Sequence, residues 1–369
     1  VPSQVHRGTM SPVGVIALAR PTFDVEFAEE VATTAFAVLD EVAPNWVGSR
    51  ELLFDAANTQ AAIDELAGTD LDALVVIQAT FTDATMTKVI AASIEAPLLL
   101  WAFPEARTGG RLRLNSLCGI NLAAYALRRA GHQFTYVFGG VSQPATRQEL
   151  AAALDGSQPA VESVSLDTLP DPTTQAAAES AVRRLRQAKT GVIGRHPDGF
   201  DPCGFDVASV KHAMGVDVQP IELGELFVAA AAASAQDVAD ARTRAASALG
   251  SLDEFDQEAL DQSLRLYCGL NQLVSAHGWD GFATRCWPEC FTEFGAAACA
   301  PQSMMGDDGV PGGCEADAYG TLTSLLLTEL SGEPPFVADL VDVDLEDDTA
   351  VFWHCGLAPL HMADPAFTP

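Results

Sequence analysis

Lysine is scarce in this chain of 369 residues, which contains only Lys88, Lys189 and Lys211. Lysine and arginine together number 20 against 50 aspartates and glutamates, so the formal net charge is −30. A surface with this excess of negative charge repels phosphate backbones and anionic headgroups, which argues against nucleic acids and membrane surfaces as partners. It also repels itself unless salt screens it, because the Debye length falls to about 3 Å at 1 M salt. The composition therefore predicts a halophilic protein, adapted to a salty cytoplasm.

Long hydrophobic runs are also missing. The longest, at residues 71–79 and 97–103, are far shorter than the roughly 20 residues of a membrane-spanning helix. No basic-then-apolar segment of the kind that forms a secretory signal opens the sequence. The eight cysteines include no C-x-x-C pair, so buried free thiols in a reducing compartment are favoured over a thiolate zinc site among Cys286, Cys290, Cys299 and Cys314. We therefore expect a cytoplasmic protein that does not enter membranes.

Several catalytic motifs are absent as well. The chain has no G-x-x-x-x-G-K-[ST] loop, no H-E-x-x-H motif and no G-x-S-x-G nucleophile elbow. Gly139-Gly140 lacks the rest of a dinucleotide fingerprint. These absences argue against a phosphate-cradling loop and against a covalent serine enzyme.

What the sequence does contain is a regular alternation of short apolar strands with helical patterns. Strands at 13–19, 74–79, 97–103 and 134–139 alternate with helices at 24–41, 58–67, 83–93 and 115–130, which predicts a parallel sheet covered on both faces. A second pattern follows, with strands at 191–194 and 216–223 and helices at 205–214, 226–249 and 252–277. The expected fold class is α/β, with two open, mostly parallel-sheet (Rossmann-like) domains and then the start of a C-terminal β domain. The predicted boundaries are 12–142, 143–335 and 336–369.

Chemistry-bearing residues concentrate in the last hundred residues. Glu289 follows an apolar strand, where α/β proteins place their ligand sites. Glu315 and Asp317 flank the start of a helix, and one of the two is expected only to cap it. His354 ends another apolar strand. Together these residues would form an oxygen- and nitrogen-rich ligand set that suits Mn²⁺ or Mg²⁺ better than zinc.

Three motifs in this region resemble the L-fucose isomerase-like family, related to L-fucose and L-arabinose isomerases. They are R-C-W-P-E at 285–289, C-E-A-D-A-Y-G at 314–320 and H-C-G-L-A-P at 354–359. The N-terminal half agrees, with R-P-T-F-D at 20–24, Q-A-T-F-T-D at 78–83 and L-N-S-L-C-G at 114–119. The resemblance runs from about Val13 to Pro359 and rests on the order and number of the motifs.

The resemblance implies a metal-dependent ketol isomerase, which interconverts an aldose and a ketose by enediolate proton transfer, usually with Mn²⁺. It implies Glu289 and Asp317 as acid/base residues and as metal ligands. Glu293 is the alternate for the first and Glu315 for the second, and His354 is a further expected ligand. The substrate is a sugar whose identity stays open among deoxyhexoses, pentoses and sulfonated hexoses.

An anionic sugar would need a cationic partner in this acidic protein. The arginines considered for that role are Arg20, Arg107, Arg111 and Arg113, of which at least three are expected to balance surface acids. The residues predicted to bind substrate are Arg20, Arg285 and Trp287.

Family members continue into a C-terminal β-barrel domain that adds a late histidine, and they assemble as trimers, tetramers or hexamers. We therefore expect a homo-oligomer and only the beginning of that domain in this chain. The alternative interpretation is a non-catalytic, two-lobed sugar-binding or sensor protein, because fold alone does not establish function.

Overall fold

The computed structural model describes residues 11–157, 172–344 and 346–364. Within this part of the chain, one compact unit holds residues 11–157 and 339–353, and a second holds residues 172–338 and 354–364. The segment from 336 onward, expected as the lead into a third domain, is thus divided between the two units.

The first unit is built on a five-stranded parallel sheet with the strand order β2-β1-β3-β4-β5. Its two central strands pair residue for residue, from Val13 opposite Ala73 to Leu18 opposite Gln78, and both are buried along their whole length. Burial on both faces explains why these strands read as continuous apolar runs in the sequence. The strands are Val13–Leu18 (β1), Leu52–Leu53 (β2), Ala73–Gln78 (β3), Leu98–Ala102 (β4) and Phe134–Phe138 (β5).

Helices cover both faces of this sheet, each with its own buried cluster of apolar side chains. The first helix begins where Asp24 accepts a hydrogen bond from the Phe27 amide, as its position before an apolar periodic segment suggests. The helices are Val25–Val42 (α1), Ala56–Leu66 (α2), Thr85–Ser93 (α3), Ser116–Ala130 (α4) and Pro144–Leu154 (α5).

The second unit contains a four-stranded parallel sheet with the order β7-β6-β8-β9. Pro220 lies in the edge strand β7, where its missing N–H costs little. The strands are Lys189–Ile193 (β6), Asp217–Ile221 (β7), Gly281–Thr284 (β8) and Gly312–Gly313 (β9).

The helices of the second unit surround this sheet, and α10 packs closely on α8, α9 and α12. The segment expected to form one helix at 226–249 forms two, because Ser234 begins a new helix through reciprocal hydrogen bonds with Asp237. The helices are Pro172–Leu185 (α6), Val207–Met214 (α7), Leu223–Ala231 (α8), Ala235–Leu249 (α9), Gln257–His277 (α10), Glu289–Thr292 (α11), Cys299–Asp307 (α12) and Ala318–Ser331 (α13). Three short 3₁₀ turns lie at Asp201–Cys203, Cys314–Ala316 and Leu360–Met362.

An antiparallel hairpin of Asp339–Asp344 (β10) and Thr349–Trp353 (β11) belongs to the first unit. Its side chain Asp342 is fully buried and accepts a hydrogen bond from Arg107 Nε at 2.6 Å, while Arg107 also pairs with Asp344. These carboxylates raise the pKa of Arg107, so one arginine considered for anion binding is held by internal acids.

The expected α/β class with open parallel sheets is confirmed. Across the described ranges, no helix is both long and apolar enough to cross a bilayer.

Candidate active site

The predicted site residues of the second unit lie at the carboxyl ends of β8 and β9. Arg285, Trp287 and Glu289 follow β8, while Glu315 and Asp317 follow β9. Because these strands are parallel neighbours, their carboxyl ends share one edge of the sheet, the edge where open α/β sheets form ligand sites.

Glu289 is held by Arg285. The Arg285 Nε donates to Glu289 Oε2 at 2.5 Å, and both side chains are mostly buried. The same guanidinium donates from Nη1 to the backbone carbonyls of Arg195 and His196 at 3.1 and 3.0 Å, which fixes its orientation. The hydrogen bond from Arg285 lowers the pKa of Glu289 below its usual range, so this carboxylate is ionised at neutral pH. Arg285, predicted to bind substrate, therefore contacts a predicted catalytic residue and two main-chain carbonyls.

Asp317 lies immediately before α13, and burial raises the pKa of its carboxyl group above the usual range. The backbone amides of Tyr319 and Gly320 partly offset that increase. Its Oδ1 is buried and has no hydrogen-bond partner among the described residues. A buried polar atom of this kind is uncommon and calls for a ligand, an ion or a proton as its partner.

Glu315 lies in a different environment. Its carboxylate and the sulfurs of Cys286 and Cys314 lie within 4.8 Å of one another. Within the described ranges, no other set of three or more potential metal ligands lies as close together. The predicted set of Glu289, Asp317 and His354 does not form such a group. The structure thus assigns Glu315 and Asp317, which the sequence could not separate, to different surroundings.

His354 and Glu293 complete the predicted set. The Nδ1 of His354 lies 3.0 Å from both the amide nitrogen and the carbonyl oxygen of Gly356, so a local turn orients the ring. Glu293 ends α11 and is exposed. Trp287 is half-buried and packs against the apolar core of the unit.

Arg20 lies in the first unit, just after β1. Its amide donates to Thr80 Oγ1 at 2.7 Å, and its guanidinium lies 5.7 Å from the centre of the Phe81 ring. Burial lowers the pKa of Arg20, and the charge of Asp83 opposes that shift. By contrast, Arg113 pairs with Asp24 at 2.8 Å, and Arg111 donates to the Thr22 carbonyl at 2.9 Å. Arg20 thus lies against an aromatic ring, whereas Arg111 and Arg113 are held by a carbonyl and a carboxylate oxygen.

Sequence analysis weighed a thiolate site among Cys286, Cys290, Cys299 and Cys314 and favoured free thiols, but it did not single out the pair of Cys286 and Cys314 or add Glu315 to it. The signal was present, because both C-W-P-E and C-E-A-D place a cysteine a few residues before a predicted catalytic acid. What the sequence could not supply is the adjacency of β8 and β9, which brings Cys286 and Cys314 together.

Comparison with known proteins adds the family. The model of the N-terminal domain of fucose/sulfoquinovose isomerase matches residues 14–158. Sulfoquinovose isomerase of a Clostridium species is 30% identical over 357 residues, which are 95% of this chain and 72% of the relative. The sulfoquinovose isomerases of Priestia megaterium and Alkalicoccus urumqiensis are 27% and 28% identical, over 95% and 97% of this chain and 74% and 75% of their own lengths.

Fold, site and relatives together define an α/β enzyme of the aldose–ketose isomerase class. The chain belongs to the fucose isomerase-like family, as the motifs at 285–289, 314–320 and 354–359 indicate. This outcome favours the isomerase over the alternative interpretation as a non-catalytic sugar-binding protein.

Proposed function

We propose that this isomerase acts on sulfoquinovose, a sulfonated aldose, and converts it to the corresponding ketose. The observation that carries the proposal is that nearly the whole chain aligns with relatives named for that reaction. The sulfonated hexose is one of the substrates that the sequence leaves open, and the names of these relatives favour it.

The proton transfer is assigned to Glu289 and Asp317. Isomerisation removes the proton from C2 of the aldose and delivers one to C1, through an enediolate of the sugar. Glu289, ionised beside Arg285, suits the role of proton acceptor. Asp317 is the second carboxyl group assigned to the transfer, and burial holds its pKa above the usual range while no cation is bound. The two carboxyl groups therefore lie in different environments, one beside an arginine and one buried with an unpartnered oxygen.

A divalent cation such as Mn²⁺ is part of the proposal. Carboxylate oxygens are the ligands that Mn²⁺ prefers, so the unpartnered Oδ1 of Asp317 and the second oxygen of Glu289 have the right chemistry. To share one cation, these two groups and His354 would have to lie closer together than they do in this structure. His354 would be a ligand in the tautomer whose Nδ1–H donates to the Gly356 carbonyl, since that leaves Nε2 free of a proton. When bound, the cation would polarise the carbonyl group of the sugar.

The test is to incubate the metal-loaded chain with sulfoquinovose in D₂O and to follow the sugar by NMR. We expect a ketose to appear with solvent deuterium at the carbon that receives the proton. Glu289→Gln and Asp317→Asn should lower the rate by 100-fold or more, on the order of what general acid–base catalysis contributes.

Glu254→Gln is the matched control, because it makes the same change from acid to amide at an exposed loop position of the second unit. It should react at the wild-type rate. Unchanged turnover in both Glu289→Gln and Asp317→Asn would refute the assigned roles. Turnover of an unsulfonated aldose at the rate of sulfoquinovose would refute the substrate.

A further inference from the structure

The strongest unassigned feature is the thiol cluster of Cys286 and Cys314 at the carboxyl edge of the second sheet. The two sulfurs lie 3.0 Å apart, and the two residues are only 5% and 4% exposed. The half-buried Glu315 places a carboxylate oxygen within 4.8 Å of both sulfurs. Two thiols and a carboxylate at such distances could supply three ligands to one metal ion.

A second thiol pair adjoins the first. Cys299 begins α12, and its sulfur lies 3.6 Å from that of Cys355. The hydrogen bond with Cys355 lowers the pKa of Cys299, while burial and the nearby groups Cys286 and Glu315 oppose that shift, so the two pairs are close enough to interact electrostatically. Main chain packs tightly here, because a Cβ on Gly356 would lie 2.7 Å from the Cβ of Cys299.

The backbone at the cluster is strained. Glu315 and Ala316 are consecutive non-glycine residues with positive φ angles of 51° and 56°. Non-glycine residues are unfavourable in this left-handed region and persist there only where the surroundings hold them. A cation bound by Cys314 and Glu315 would supply part of that hold.

We propose that Cys286, Cys314 and Glu315 bind a borderline-soft divalent cation of the zinc class. Thiolate and carboxylate are both established zinc ligands, and a water molecule or a sulfur of the second pair would complete a tetrahedron. Two sulfurs on one zinc ion lie about 3.8 Å apart, given zinc–sulfur bonds of about 2.3 Å. The sulfurs of Cys286 and Cys314 therefore separate by less than 1 Å on binding. Each thiol releases its proton to solvent as the zinc–sulfur bond forms.

This site differs in chemistry from the proposed sugar site. Thiolates select zinc over manganese, whereas the carboxylates of Glu289 and Asp317 suit the harder cation. A bound cation would give Glu315 a structural role and would fix the backbone of the turn that precedes Asp317. The inference does not rest on the proposed function, because its readout is spectroscopic rather than catalytic.

The competing outcome is a disulfide between Cys286 and Cys314. That bond would require an external oxidant to accept two electrons, and the sulfurs would have to approach to about 2.05 Å. The observed arrangement of three donors around one point favours the cation.

The experiment is a titration of the reduced, metal-stripped full chain with Co²⁺, which gives thiolate-to-metal charge-transfer absorption that oxygen ligands do not give. We expect one equivalent of Co²⁺ to develop this band and Zn²⁺ to abolish it by displacement. Cys314→Ser should weaken the affinity by more than about 100-fold, the upper end of what even a lost outer-shell partner costs. Cys268→Ser is the control, because Cys268 is a half-buried thiol of α10, and it should titrate like wild type.

Absence of the charge-transfer band from the folded wild-type chain would overturn the proposal, and this arm needs no variant to fold. Equal affinity in Cys314→Ser and in wild type would also overturn it. So would thiol counting in denaturant that finds six reactive groups before reduction and eight after it, if the missing pair maps to Cys286 and Cys314. Activity with Mn²⁺ is measured separately, so failure of the isomerase proposal cannot be confused with failure of this one.

Discussion

The position of a single carboxylate, that of Asp317, depends on a glycine one turn along the same helix. A Cβ on Gly320 would lie 2.4 Å from Asp317 Oδ2, so the carboxylate occupies space that only glycine leaves open. Helix α13 begins directly after Asp317, which means that the helix itself presents this space to the acid.

Gly320→Ala should therefore move the Asp317 carboxylate and lower kcat, by roughly the 100-fold that a misplacement of about 1 Å costs. The fold should be kept, because alanine favours a helix over glycine by up to about 1 kcal/mol. Steady-state kinetics and thermal unfolding check the two halves of this prediction.

Gly224→Ala provides the comparison, since Gly224 lies in α8 and its added Cβ would meet no atom within 4 Å. That variant should gain stability and keep wild-type activity. If Gly320→Ala were equally active, the placement of Asp317 would not depend on this contact.

A second prediction at the residue scale concerns Asp24, which caps α1 and pairs with Arg113. The bond from the Phe27 amide and that from Arg113 hold the pKa of Asp24 below its ordinary value of 3.8. A carboxylate with a lowered folded pKa adds stability above the unfolded pKa and loses it as the pH falls through the folded pKa. Asp24→Asn, which keeps the cap but removes the charge, should have a lower Tm than wild type at pH 7 and a narrowing difference below pH 3.8.

Asp55→Asn is the matched control, because Asp55 also caps its helix through a backbone amide, that of Asn58, but its side-chain partner is the neutral Asn58 amide group and not an arginine. Its effect on Tm should be smaller at neutral pH. Wild type and Asp24→Asn should also converge as salt is added, since both partners of the ion pair are partly exposed. A pH-independent difference would show that the charge of Asp24 contributes nothing.

At the scale of elements, Ser234 separates α8 from α9. Its hydroxyl accepts from the Asp237 amide at 3.1 Å, and the Asp237 carboxylate accepts from the Ser234 amide at 3.2 Å. Ser234→Ala should lower the free energy of unfolding by about 1 kcal/mol, the usual cost of a lost N-cap. Chemical denaturation measures this difference directly.

Ser247→Ala is the control within the same helix, because the Ser247 hydroxyl donates to the Thr243 carbonyl in the helix interior. It should leave stability unchanged or raise it slightly, since alanine is the better helix former. Equal losses in both variants would mean that Ser234 acts as an ordinary helix residue and not as a cap.

The same junction shows why sequence patterns predict most of the elements but not all. In the first unit, four strands (β1, β3, β4 and β5) and four helices (α1 to α4) follow the predicted alternation, because their apolar segments are long enough to be recognised, whereas β2 and α5 were not predicted. The break at Ser234 was hidden by an alanine-rich segment that suits a helix throughout, although S-x-x-D is a capping signal. The two-residue strands β2 and β9 are too short to carry any period.

Contacts between distant segments set a second limit on sequence reasoning. Sequence analysis assigned Glu289 and Asp317 from motifs, but it could not place Cys286 beside Cys314, 28 positions away. The pairing of Arg107 with Asp342 joins residues separated by 235 positions. Local periodicity holds no information on such contacts. For this reason the hairpin of β10 and β11 was expected in a separate C-terminal domain, whereas the structure groups it with the first unit.

At the scale of the whole molecule, the dominant feature is the net charge of −30. Like charges spread over one chain destabilise the compact state through mutual repulsion. Salt reduces this repulsion, since the Debye length falls from about 10 Å at 0.1 M to about 3 Å at 1 M. We therefore expect Tm to rise steadily from 0.1 M to 1 M NaCl.

Two comparisons test whether charge screening is the cause. Sodium sulfate at equal ionic strength should act like NaCl if screening dominates, whereas a larger effect of sulfate would indicate its exclusion from the protein surface. A variant with four Glu→Gln substitutions would have a net charge of −26 instead of −30. The substituted residues are all exposed: Glu65, Glu95, Glu254 and Glu333. That variant should have a higher Tm than wild type at 0.1 M and gain less from added salt. If the acids repel one another in the folded state, screening must weaken that repulsion and raise Tm. A Tm that stays flat between 0.1 M and 1 M NaCl would therefore contradict the predicted adaptation to salt.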